Sequence, residues 1–515
     1  SLDLVSQQGA HTVTFGGEYK QWTVRNYSAS FGFATSLASQ ADPSWADSSL
    51  VSEGLALQAR TDGINSYGYD EFGRKVDSGP DGAKKPVTGA LYINDKIEFE
   101  NIIVNGGLRL NYYDSDSWQP EDRTQPPYED GNRQVLVGDT TTSTGAPGLQ
   151  ETDADWVLEP RLGLSFPISD RTVFHLQYGQ FSQLPDMANV YEGRGAMSLV
   201  FSGGNFISDP FAFDIDPVRT TQYEIGFGHQ FAEFAAFDLT AYYRRTDDQI
   251  RITRVETAAG AQAAPYNLYE NGDFSITRGV ELSLRTRRFG GVMGMFNYSL
   301  ADAKGTNTSP NSQVSALENN VPTPSQVQPL GFQQRHTGSV VVDYRTGTDQ
   351  PQWAANWGVN LLFRFSSGHP FTRSDGGIGQ RSVDEGPLLV DTDPRNRVPL
   401  EPINSSSTPW TNQLDLRVEK GFDLGPASAK VYAYVQNLLN RKNVLNVYNR
   451  TGSAEQDGFL SNPSLSEDFV SNQGPRFVDY YQQINLDNGS HYRESWGQEL
   501  FGEPRQVRIG VSISY

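Results

Sequence analysis

The chain has 515 residues, and its 61 acidic side chains against 41 Lys and Arg give a formal net charge of −20. That balance excludes a nucleic-acid partner, because phosphate recognition needs a basic surface. Cysteine is absent, so there is no disulfide framework or thiolate metal site, and no apolar run reaches the roughly 18 residues of a membrane helix.

Mean hydropathy is negative, but this does not exclude a membrane barrel, whose strands turn only every second residue toward lipid. The start, Ser1-Leu2-Asp3-Leu4, has neither the basic nor the apolar region of a signal peptide, so the chain reads as processed, trimmed or incomplete.

Short segments of strict alternation follow one another along the chain. Val13, Phe15 and Tyr19 alternate with Thr12, Thr14 and Glu18; Val104, Leu108, Leu110 and Tyr112 with Asn105, Gly107, Arg109 and Asn111. Tyr223, Ile225 and Phe227 oppose Glu224, Gly226 and Gly228, and Phe237, Leu239, Ala241 and Tyr243 oppose Asp238, Thr240, Tyr242 and Arg244. The pattern continues through Val280–Arg285, Trp357–Phe365, Leu414–Glu419 and Ala429–Gln436 to Val507, Ile509, Val511, Ile513 and Tyr515. Successive strand side chains point to opposite faces, so each segment has one apolar and one polar wall.

About fourteen such segments are predicted, near 10–20, 86–98, 101–113, 156–167, 172–183, 218–231, 236–251, 273–287, 291–302, 335–346, 353–367, 411–423, 427–439 and 503–515. The connections alternate between short ones, such as Ile168–Arg171 and Ala232–Ala235, and long ones at about 21–85, 114–155, 184–217, 252–272, 303–334, 368–410 and 440–502. Tight periplasmic turns and long extracellular loops give this rhythm in an all-β, antiparallel up-and-down transmembrane barrel. The same parity sends the last strand inward and places Tyr515 in the inner aromatic girdle.

Several stretches resemble TonB-dependent outer-membrane receptors. Asp216-Pro217-Val218-Arg219-Thr220-Thr221-Gln222-Tyr223-Glu224-Ile225-Gly226-Phe227 is similar to the family's P-E-x-T-x-x-Y-E-x-G strand, with Val218 where Glu is usual. Gln334-Arg335-His336-Thr337, Phe365-Ser366-Ser367-Gly368-His369-Pro370-Phe371-Thr372 and Val435-Gln436-Asn437-Leu438-Leu439-Asn440 resemble its other strand and loop signatures. Tyr92–Glu98 and Arg441–Asn446 lean toward the Oar-like branch. The resemblance spans roughly residues 10–515. It implies a 22-stranded barrel with an N-terminal plug, so residues 1–515 are expected to be an incomplete barrel domain lacking the plug and first strands.

No catalytic, cofactor or metal site is assigned. The six histidines (His11, His175, His229, His336, His369 and His491) have no metal-ligand spacing, and no nucleophile elbow or phosphate loop occurs. Asp384, Asp391 and Asp393 offer oxygen ligands of the kind calcium takes, against the plainer reading of a solvated acidic loop. Tyr112, Tyr113, Tyr242, Tyr243, Tyr344, Phe365 and Phe422 are expected in aromatic girdles; Trp118, Tyr128, Tyr191 and Phe201 are candidates for stacking on an extracellular ligand. The charges Glu224, Arg244, Glu281, Arg285, Arg364, Arg417, Glu419 and Arg508 should face the lumen.

The resemblance implies a non-enzymatic receptor in the outer membrane of a Gram-negative bacterium, in contact with outer-membrane lipid. It would bind a small nutrient outside and import it with energy from the TonB-ExbB-ExbD complex acting through the plug. A passive diffusion channel, or a structural or adhesive barrel, is the alternative.

Overall fold

The computed structural model describes residues 1–27, 66–69, 74–129, 134–135, 148–203, 211–318, 323, 326–347, 350–375, 398–490, 492–493 and 497–514. Alternating segments pair in chain order into an antiparallel meander. Its strands are β1 (Leu2–Gln8), β2 (His11–Gln21), β3 (Val87–Glu98), β4 (Ile103–Asp114), β5 (Asp155–Ser169), β6 (Thr172–Gln183), β7 (Val218–Ala232) and β8 (Ala235–Val255). They continue as β9 (Tyr266–Thr286), β10 (Val292–Gly305), β11 (His336–Arg345), β12 (Trp357–Ser366), β13 (Thr411–Asp423), β14 (Ser428–Gln436) and β15 (Gln506–Ser514). With two two-residue pieces they make a single 17-stranded sheet.

All fourteen predicted segments are strands, and β1 is an addition. Its seven residues mix Val5 and Ser6 into the alternation, too short a signal to stand out, yet its whole length pairs with β2. About half of the expected loop at 252–272 is strand. There β8 and β9 run on for 21 residues each, with register shifts beside Asp248, whose φ is 60°. Such bulges break the two-residue period that marks a strand in sequence.

Register carries each wall across the sheet. One apolar row passes from Leu164 through Leu176, Ile225, Ala241 and Val280 to Leu300. A polar row passes from Asp343 through Asn360, Arg417 and Tyr434 to Arg508. The apolar wall is left uncovered by protein; Ile509 is 77% exposed. Aromatic rings border it at both ends, with Trp353, Trp357 and Phe422 near the short turns and Tyr223, Tyr243 and Trp410 near the long loops. An apolar band between two aromatic girdles is the outer surface of a membrane barrel.

Period two also corrects the girdle expectation. Consecutive residues cannot share a face, and Tyr112 and Tyr243 take the apolar wall while Tyr113 and Tyr242 turn to the polar one. Tyr113 is 3% exposed, and Tyr242 lies opposite Glu224. The terminal Tyr515 lies outside the described residues. Among the described residues no pairing between β15 and β1 is seen.

Candidate functional site

The polar wall carries a charge network toward the short-turn end. Asp343, on β11, accepts from Arg288 and from Arg345 Nε at 3.0 Å. Arg345 also reaches Glu419 Oε1 at 3.1 Å, and Arg417 and Lys430 close on the same carboxylate at 3.1 and 3.5 Å. Further outward, Arg364 holds Asp415 at 2.9 Å, and Asp415 also accepts from the backbone N–H of Asn437. The carboxylates are buried while their cationic partners reach toward the interior, so the acids anchor the wall and the bases remain presentable. The arrangement satisfies charges that would be costly on the lipid side. Glu224, Arg244, Glu281, Arg285, Arg364, Arg417, Glu419 and Arg508 all fall on this face, as their parity requires.

Two cavities open on the same wall. The first, of about 790 Å³, is lined largely by hydroxyls and amides, among them Ser283, Asn297, Ser339, Thr411 and Gln413, with Glu281 and Arg364. The second, of about 710 Å³, lies at the long-loop end between Thr220, Gln222, Arg244, Thr246 and Asn307. Such linings present many hydrogen-bond donors and acceptors.

The long loops form a core of their own. Phe201, at the end of a short helix (Arg194–Phe201), packs edge-on against Tyr266 and Phe211 at centroid distances of 4.9 and 5.6 Å. Tyr128, Met197 and Phe213 complete the cluster, with Trp118 against its rim. Three of the four ligand-stacking candidates are therefore interior: Tyr128 and Phe201 are 1% and 0% exposed, and Tyr191 is buried against Tyr67. A lone aromatic in a polar loop reads the same in sequence whether it meets a ligand or another loop; only the packing separates the two.

Phe213 of this core and nearby Ile215 are fully buried and carry Asp214 with them. Burial, reinforced by neighbouring Asp216, pushes the Asp214 carboxyl up, against a smaller opposing pull from Arg123. The loop containing Asp384, Asp391 and Asp393 lies outside the described residues, as does His491. The other histidines are dispersed. His11 meets Asp95, His175 sits over Gly226 on the polar wall, His229 contacts Thr172, His336 meets Tyr298, and His369 is held by Thr408.

The signature residues have structural reasons. At Gly368 a side chain would collide with the backbone of Thr408, so the loop leaving β12 can approach its neighbour only without one. Asn437, with φ of 52°, ends β14 and donates through its amide to Arg441 O and Glu503 O at 3.0 and 3.1 Å. Asn tolerates the left-handed region and supplies the hydrogen bonds that tie this junction together.

Solved structures resembling the chain include the FrpB iron transporter from Neisseria meningitidis (F3-3 variant), at 12% identity and TM-score 0.48, covering 86% of this chain and 50% of that one. Others are the ferric-catecholate import receptor Fiu from E. coli K12 (13%, TM-score 0.45, 87% and 51%) and the copper transporter OprC (11%, TM-score 0.46, 86% and 50%). The chain thus spans about half the length of these structures. No curated protein matches it. The family model for the TonB dependent receptor-like β-barrel matches residues 2–438, and the chain belongs to that family.

Proposed function

We propose that this chain is barrel wall from an outer-membrane receptor of a Gram-negative bacterium. That receptor binds a nutrient ligand at the cell surface and imports it into the periplasm, driven by TonB-ExbB-ExbD acting on a plug domain. The observation that carries this reading is the family match over residues 2–438, joined to a polar wall with cavities and a structured loop core. Tyr92–Glu98 and Arg441–Asn446 support placement in the Oar-like branch.

The test is reconstitution of the full-length protein in liposomes, followed by osmotic swelling in small sugars. A gated receptor leaves the vesicles tight until the coupling complex is supplied. Constant, uncoupled swelling identifies a passive channel and overturns the proposal.

A further inference from the structure

On the apolar wall of β5–β8 there is a groove of about 500 Å³. It exists because Ala241 stands between Ile225 and Val280 in register, where a larger side chain would fill the space. Tyr178, Tyr223 and Tyr243 form its rim toward the long loops.

Immediately beyond that rim the same face becomes cationic. Going outward along β8, Ala241, Tyr243 and Arg245 share the face; Arg278 lies opposite Tyr243, and Lys304 opposite Ile276, itself the partner of Arg245. On β7, Arg219 lies one step further out, opposite Asp247. The four side chains are 44–66% exposed. Asp247, Asp248 and Asp302 pair with them at 2.8–3.7 Å, leaving one net positive charge in a chain whose total is −20. Exposed ion pairs are weak, so these guanidinium groups exchange partners at little cost. Their planar forks suit a phosphate as well as they suit the carboxylates they now hold.

An apolar slot, an aromatic rim and a cationic band in that order fit one amphiphile. We propose that this face binds a net-anionic, phosphate-bearing lipid of the outer leaflet, with an acyl chain against Ala241 and the headgroup phosphate on Arg245 and Arg278. The inference rests on the membrane reading of the apolar wall and goes beyond transport.

The full-length protein, in nanodiscs of equal phosphatidylglycerol and phosphatidylcholine, would be released into detergent and its retained lipid counted by native mass spectrometry. Several-fold enrichment of the anionic lipid is expected. The double variant Arg245→Gln/Arg278→Gln should lose that selectivity, and Ala241→Phe should lower retention of both lipids by filling the slot. Arg285→Gln, on the opposite wall, should leave retention unchanged. Equal retention of the two lipids, or an unaffected double variant, overturns the proposal. Failure of the protein to enter the nanodisc would instead overturn the membrane reading.

Discussion

Glu419 shows how single charges hold the inner wall. Its carboxylate is 9% exposed and meets Arg345, Arg417 and Lys430, each of which is nearly half exposed. Removing the acid leaves three cations facing one another, whereas removing one base leaves two partners behind. Glu419→Gln should therefore destabilise the barrel by about 2 kcal/mol, discounted from buried-pair values because the bases are solvated. Arg417→Ala should cost under about 1 kcal/mol. Urea unfolding of both variants in lipid vesicles checks the order, and an equal loss would contradict the asymmetry. That these charges face inward was legible from alternation; which acid gathers three bases was not, because Arg345, Arg417 and Lys430 come from three different strands.

At the scale of the strand, face decides tolerance. Leu282 and Ser283 are neighbours within the apolar-banded part of β9, between Val280 and Leu284; Leu282 lies between Leu239 and Tyr298 on the apolar wall, and Ser283 bonds Asn297 on the polar one at 2.9 Å. Leu282→Arg should cost roughly 2–4 kcal/mol by placing a charge toward hydrocarbon, and Ser283→Arg much less. Measured folding free energies in vesicles that come out equal would refute the register of β9. The elements themselves were readable wherever one wall is apolar and the other polar. The readable signal failed at β1, which is short, and at the outer halves of β8 and β9, where bulges shift the period.

At the scale of the whole molecule, the loop core is where a change of pH should act. Segments far apart in sequence meet in the core around Phe201 and Tyr266, and Asp214 is drawn in beside Phe213 and Ile215. Its carboxyl is raised above the ordinary 3.8, chiefly by burial. A raised carboxyl contributes stability that is fully present below 3.8 and is lost as pH rises through the folded-state value. The loop core should therefore loosen as pH rises from about 4 toward neutrality. Hydrogen exchange of residues 196–203 and 211–217, corrected for intrinsic rates, checks this. Asp214→Asn should flatten the pH response, and an unchanged slope in that variant would place the effect elsewhere.

Alternation by itself determined the strands, their two walls, the antiparallel order and the end from which the long loops leave. Each of these follows from a two-residue period and from connection length, both local properties of the chain. Tertiary structure alone decided that Tyr128, Tyr191 and Phe201 pack inside the loops, that Glu419 anchors three bases, and that Ala241 opens a slot below a cationic band. The physical reason is the same in each case. The partners come from segments tens of residues apart, and their meeting depends on strand register and loop packing rather than on the period of any one segment.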